Sequence, residues 1–348
     1  MTIFDTKDVN TGRQKEVDFA KAVAVILMVV CHVGIYLAPE GTLLCTIFDY
    51  LGGEFAAPVF MFCMGLGMCY SRHNEPKLIA SRGLKIFLMG YGLNLVRGVL
   101  PMLFAKLLGK SFVEGRSYLE WFMMVDILQF AGLAMIVIAL FDKFKLHPAI
   151  QVMIAIVVAG FGESLAYKST GIEFLDLILD NLWGADEYAF FPLCAWLIYP
   201  VLGRQFGQIL RKVNDTKRLY MALLPVSAAA VALVMWQSIW NYEGYYVGAN
   251  YYFMGVKCAL LASFFPLFQF SMGSLIVPKL SEKVWNVCDR LSRYVNEIYI
   301  ISWVIILWVR VFVWDAGALP VCVLSVVITI VSYILAVKYK SFKKKRAK

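Results

Sequence analysis

Ten stretches of mostly apolar residues alternate with short polar connections along the chain. They fall near 17–37, 46–70, 82–105, 119–141, 148–167, 188–210, 218–239, 250–275, 293–313 and 317–338. A helix crosses about 30 Å of hydrocarbon in roughly 20 residues. The pattern therefore predicts an all-α, polytopic membrane protein of about ten transmembrane helices.

Lys and Arg gather in alternate connections: "SRHNEPKLIASRGLK", "FDKFKLH", "RQFGQILRKVNDTKR", "PKLSEKVWNVCDRLSR" and the tail "KYKSFKKKRAK". The positive-inside rule makes these cytoplasmic, and both termini with them. Lys106, Lys110 and Arg116 break the rule in an outer connection. Residues 168–187 are acidic and amphipathic and are expected to lie as a short helix on the outer surface. The chain thus divides into a cytoplasmic segment (1–16), a single transmembrane domain (17–338) and a basic tail (339–348). The polar start is too long and too acidic for a signal-peptide n-region, so the first span is expected to stay in the mature protein.

Composition sharpens this picture. The 348 residues are 61% hydrophobic and 16% charged, with mean hydropathy +0.70. The net charge of +9 sits in interfacial clusters, where it meets anionic lipid headgroups and excludes a nucleic-acid partner. Eight cysteines show no C-x-x-C spacing and read as small buried hydrophobes, with no metal site. Gly65, Gly67, Gly90 and Gly92 are expected to permit close helix packing.

The chemistry lies in the ionisable residues at membrane depth. His32 stands about 21 Å along its helix from Asp18, in the outer half of the bilayer. Asp49, Glu54, Arg97, Asp126, Gln129, Glu163, Lys257 and Arg310 fall at comparable heights. A charge near the bilayer centre costs about 2.5–3.5 kcal/mol on the insertion scale, so the set must line a polar cavity or neutralise itself. His32 is the candidate for chemistry, with Glu54 or Asp126 as the carboxylate that orients it. Arg97 and Lys257 balance the acids, and Arg310 snorkels outward. Cys31 and His32 are chain neighbours and do not face each other on a helix. Near the cytoplasmic mouth of the third span, Arg82 and Lys85 share one helix face and suit phosphates.

These residues resemble the transmembrane acyltransferase superfamily: the acyltransferase-3 proteins and, more closely, the bacterial relatives of heparan-alpha-glucosaminide N-acetyltransferase. The similarity rests on "DFAKAVAVILMVVCHV", "AAPVFMFCMGLGM", "SRGLKIFLMGYGLNL", "VDILQFAGLAMIV", "FPLCAWLIYPVLGRQFG" and "NEIYIISWVII", in order over 18 to about 308. It implies transfer of an acetyl or other acyl group from cytoplasmic acyl-CoA, with acetyl-CoA as donor. The acceptor would be a hydroxyl or amine of a sugar or glycan outside a cell membrane. In that picture Arg82 and Lys85 hold the CoA phosphates, with Lys21, Arg13 and Arg97 in support. His32 is the general base, Glu54 or Asp126 fixes its tautomer, and Asn94, Gln129 or Ser302 binds the oxyanion. Three departures stand out: Lys21 replaces an Arg, Lys85 replaces the second Arg of a basic pair, and Ser302 replaces a late His. Acceptor identity, O- versus N-acylation and homodimerisation stay open. The other readings are a transporter or flippase and a non-catalytic membrane subunit.

Overall fold

The computed structural model describes residues 3–112, 116–186, 189–240 and 249–346. It is 76% helical. Among the described residues there is no strand, only the isolated bridges Phe4–Val213 and Val125–Ala189. In chain order the helices are α1 (Lys15–Leu37), α2 (Leu43–Gly52), α3 (Ala57–Cys69), α4 (Pro76–Asn94), α5 (Leu100–Leu107), α6 (Tyr118–Met123), α7 (Ile127–Lys143), α8 (Pro148–Leu165) and α9 (Glu173–Leu179). They continue as α10 (Leu193–Trp196), α11 (Ile198–Leu210), α12 (Thr216–Trp240), α13 (Ala249–Tyr252), α14 (Val256–Ala262), α15 (Phe264–Ile276), α16 (Glu282–Arg293), α17 (Val295–Arg310) and α18 (Ala318–Arg346).

Seven helical stretches among the described residues are long and apolar enough to cross a membrane: Lys15–Leu37, Leu43–Cys69, Pro76–Leu107, Pro148–Leu165, Thr216–Trp236, Val256–Lys279 and Ala318–Arg346. The other three expected spans are helical but shorter, with 17 residues in α7, 13 in α11 and 16 in α17. Each begins late for a local reason. Asp126 caps α7, Pro192 precedes the short α10 before α11, and Tyr294 ends α16 before α17 starts. Of the aromatic stretch 236–253, expected at the outer interface, residues 241–248 lie outside the described residues.

The chain forms two compact units interleaved in sequence. The first comprises Met1–Gln14, Pro58–Gly92 and Phe122–Met272. Here glycines set how closely backbones approach. A methyl on Gly65 would collide with the Pro200 carbonyl of α11, and one on Gly203 with the Phe62 carbonyl of α3. Gly83 of α4 and Gly132 of α7 face each other's backbone in the same way, and Gly90 lies against the Gln129 side chain. Gly67 and Gly92 differ from the expectation. Neither has any atom within 4 Å of where a methyl would sit, because a step of two residues on a helix turns to another face.

One end of this unit gathers the segments that charge assigned to the cytoplasm. The amides of Asp5, Val9 and Asn10 donate to the carbonyls of Lys212 and Arg211. Arg211 also pairs with Asp8 at 2.7 Å and donates to the Cys69 carbonyl. Arg204 pairs with Asp142 at 2.6 Å. The N-terminal segment, the end of α3 and two basic connections are thus bonded to one another.

The outer acidic stretch contains α9 and a tight acceptor site. Asp180 Oδ1 accepts from the amides of Ala185 (2.8 Å) and Asp186 (3.1 Å). Burial, with the Asp186 charge adding to it, pushes the Asp180 carboxyl up to about 7.

The second unit comprises Lys15–Ala57, Leu93–Trp121 and Gly273–Lys348. At one end Asp18 holds Lys21 (2.8 Å) and the Ser292 hydroxyl of α16 (2.6 Å), while Lys340 pairs with Glu297. At the other, Ala316 N donates to the Leu37 carbonyl and Arg310 donates to the Tyr36 carbonyl. The outer cations that break the charge rule lie on aromatic faces: Lys106 over Tyr118, Lys110 over Phe312 and Arg116 over Trp121. Lys110 also donates to the Val311 carbonyl. Local partners keep these charges where the insertion bias alone would not.

Two outcomes test this packing. Gly65→Ala should lower the thermal stability of the detergent-purified protein by about 1–3 kcal/mol, because the obstacle is backbone. Gly67→Ala should leave it unchanged or raise it by up to about 1 kcal/mol. For Asp180, the raised native pKa means the folded state binds the proton more tightly than the unfolded state between about pH 4 and 7. That contribution is full below the unfolded pKa and is lost as pH rises through 7. Amide exchange across residues 172–186 should therefore be slower at pH 5 than at pH 8 after correction for intrinsic rates, and Asp180→Asn should flatten the difference.

Candidate active site

α1 presents different chemistry on adjacent faces. Cys31 and His32 are one residue apart and so point about 100° away from each other. On the Cys31 face, α2 packs so closely that a methyl on Gly52 would strike the Cys31 side chain. Asp49 Oδ1 lies 4.0 Å from Cys31 Sγ, and its Oδ2 lies 3.9 Å from Cys45 Sγ. All eight cysteines are free thiols.

The His32 face meets α17. The imidazole stacks on the Trp303 indole with ring centroids 4.0 Å apart and planes inclined by 28°. Tyr299, one turn earlier on α17, presents its ring edge-on to His32 at 6.4 Å. Tyr36, one turn further along α1, meets Trp303 edge-on at 5.3 Å. His32 is itself only half-buried, so the ring is neither sealed nor fully open.

A third component comes from the expected third span. Between α4 and α5 the helix widens into a π-helical turn, Leu95–Val99. The cause is Pro101: it has no N–H for the carbonyl of Arg97 four residues earlier, and its ring would clash there. Such turns recur at functional sites. This one carries Arg97, which is 0% exposed. Its Nε and Nη2 donate to Asn94 Oδ1 at 3.2 and 2.9 Å, and its guanidinium carbon lies 4.3 Å from the centre of the Trp303 ring. The indole thus bears both the imidazole and the guanidinium.

The remaining candidates are placed as follows. Glu54 is 1% exposed in the break between α2 and α3, and neither carboxyl oxygen has a hydrogen-bond partner among the described residues. No hydrogen bond therefore joins it to His32. Ser302 is fully buried and donates to the Tyr299 carbonyl of its own helix. Asp126, in the other unit, is the N-cap of α7. It accepts from Ile127 N at 2.6 Å and forms a capping box with Gln129, whose Oε1 accepts from Asp126 N. Gln129 Nε2 donates to the Met124 carbonyl. Glu163 leaves the expected set: it sits at the N-terminus of α14 and accepts from Val256 N, where a carboxylate complements the helix dipole. Lys257 is exposed in the first turn of that helix.

On the basic side, Lys21 is ion-paired with Asp18. Arg82 and Lys85 are exposed on α4, and neither forms an ion pair among the described residues. Both are available to phosphates. Arg97 lies in the other unit from this pair, enclosed with Trp303. The cavity at the start of α8 and the end of α11 has a volume of about 530 Å³ and is lined by Gln205, Gln208, Arg211 and Lys212 among others. No group of three or more His, Cys, Asp or Glu disposed to hold a metal occurs among the described residues.

Trp303 is the contact that sequence reasoning missed, although "NEIYIISWVII" contains it. Tyr299 and Trp303 at i and i+4 form a detectable aromatic pair on one helix face. What no pattern shows is that this face meets His32.

A family model described as an acyltransferase domain, acyltransferase-3, matches residues 14–337. No curated protein is matched by the chain.

The cap on α7 separates structure from charge at Asp126. Asp126→Ala should lower thermal stability by about 1 kcal/mol, while Asp126→Asn, an equally good N-cap, should retain it. Thermal unfolding of the two variants in detergent reads the difference.

Proposed function

The chain belongs to the acyltransferase-3 family of membrane acyltransferases, and from that premise we propose that it carries an acetyl or related acyl group from cytoplasmic acyl-CoA to a hydroxyl or amine of a sugar or glycan across the cell membrane. The observation that carries the reading is the half-buried His32 imidazole, held at membrane depth against Trp303 and Tyr299.

In the proposed reaction the acceptor oxygen or nitrogen attacks the thioester carbonyl as neutral His32 takes its proton. Collapse of the tetrahedral intermediate breaks the C–S bond, and the imidazolium returns the proton to the departing CoA thiolate. Imidazole suits both transfers, since its ordinary pKa lies near 6.5. Glu54, buried with both oxygens unbonded, is assigned to the acceptor: an incoming hydroxyl or amine supplies the partner this carboxyl lacks. Arg82 and Lys85, exposed on α4, are assigned to the CoA phosphates. Asp126 shapes the start of α7.

Purified full-length protein given radiolabelled acetyl-CoA and a panel of amino sugars and glycan fragments tests the proposal. His32→Ala should reduce transfer by about 10²–10⁴-fold with acetyl-CoA affinity nearly unchanged. Arg82→Ala should weaken acetyl-CoA binding instead. Absence of both transfer and acetyl-CoA binding in the unsubstituted protein would remove the enzyme reading.

A further inference from the structure

The least accounted-for feature of the site is that its imidazole is held by a ring. Activated histidines are commonly oriented by a carboxylate on one ring nitrogen. Here Asp49 lies on the Cys31 face of α1, and Glu54 makes no hydrogen bond to His32. A contact that bears directly on the ring plane is the stack on Trp303 at 4.0 Å and 28°.

We propose that Trp303 is a positioning residue for the acyl transfer: it sets the plane of the His32 imidazole, and Arg97, laid on the same indole from the Pro101-induced π turn, keeps that indole in place. This rests on the reading of His32 as the base. Stacking engages the face of the imidazole, so it orients the ring whatever the ring nitrogens bind at their edge. The indole is itself constrained by the edge of Tyr36 at 5.3 Å and the guanidinium at 4.3 Å. Arg97 cannot drift, because two of its nitrogens are bound to Asn94 Oδ1 within the same helical turn. Pro101, Arg97, Trp303 and His32 thus form one mechanical series from a backbone defect to the reacting group.

Two substitutions in the full-length protein separate orientation from bulk: Trp303→Phe keeps an aromatic face, and Trp303→Leu keeps apolar volume without one. Trp303→Leu should lower kcat by about 10²-fold, the scale of an ångström-level misplacement, with KM for acetyl-CoA unchanged. Trp303→Phe should recover most of kcat. In a His32→Gln background Trp303→Leu should cause no further loss. An independent readout needs no turnover: the rate of His32 carbethoxylation by diethyl pyrocarbonate, followed by mass spectrometry, should rise in Trp303→Leu and stay near the unsubstituted value in Trp303→Phe.

Equal kcat losses in the Leu and Phe variants, an unchanged kcat in Trp303→Leu, or an unchanged carbethoxylation rate in Trp303→Leu would overturn the proposal. If the unsubstituted protein transfers no acyl group while carbethoxylation responds as stated, the stack orients His32 but the base assignment fails. The two failures are therefore distinguishable.

Discussion

A guanidinium at membrane depth must be given partners by the protein, and Arg97 shows how this chain supplies them. Inserting such a charge costs about 2.5–3.5 kcal/mol even on the lenient scale. A hydrogen bond to a charged group returns about 1.5–3 kcal/mol, and a desolvated cation–π contact about 2 kcal/mol. Asn94 Oδ1 accepts two N–H groups of Arg97, and Trp303 offers the cation–π face. Both partners contribute to that compensation, so the π turn, the indole and the ring stacked on it are tied to one requirement.

The same logic governs where the helices approach. In lipid there is little hydrophobic gain from bringing two apolar helices together, so contact must come from close packing and polar bonds. Gly65 with Gly203, and Gly83 with Gly132, let backbones touch in the first unit. At its polar end, Arg211, Asp8, Arg204, Asp142 and the N-terminal amides replace packing with hydrogen bonds. Glycine serves the membrane-spanning stretches, and ion pairs serve their wet ends.

How much of this was legible in the sequence varied with the range of the interaction. The helical, polytopic character was readable because apolar runs and alternating basic connections are local signals. The family resemblance was readable because its motifs keep their order. Local breaks were partly readable: the Asp-x-x-Gln pattern at Asp126 and Gln129 is a helix-start signature, but the mostly apolar residues on both sides of it obscure it. The π turn before Pro101 was not legible, because the apolar run 82–105 continues past it. The glycines show the limit clearly. Gly65 and Gly67 look alike in sequence, yet only Gly65 meets another backbone, since that depends on which helix lies opposite. Trp303 fell outside reach for the same reason: its partner His32 is some 270 residues away in the chain.

The histidines close the chemical accounting. The chain has three. His147 is the N-cap of α8, its Nδ1 accepting from Ala149 N at 3.3 Å. His73 is exposed in a connection beside Ser71. Ser302, which stands where the sequence resemblance implies a late histidine, donates its hydroxyl to the Tyr299 carbonyl and offers the site no second imidazole. A mechanism that hands the proton between two imidazoles has no foothold here. In the proposed reaction one ring both takes the acceptor's proton and returns it to the leaving thiolate, and a ring with two duties at opposite ends of one reaction gains most from a fixed plane. The stack on Trp303 supplies a fixed plane without occupying a ring edge.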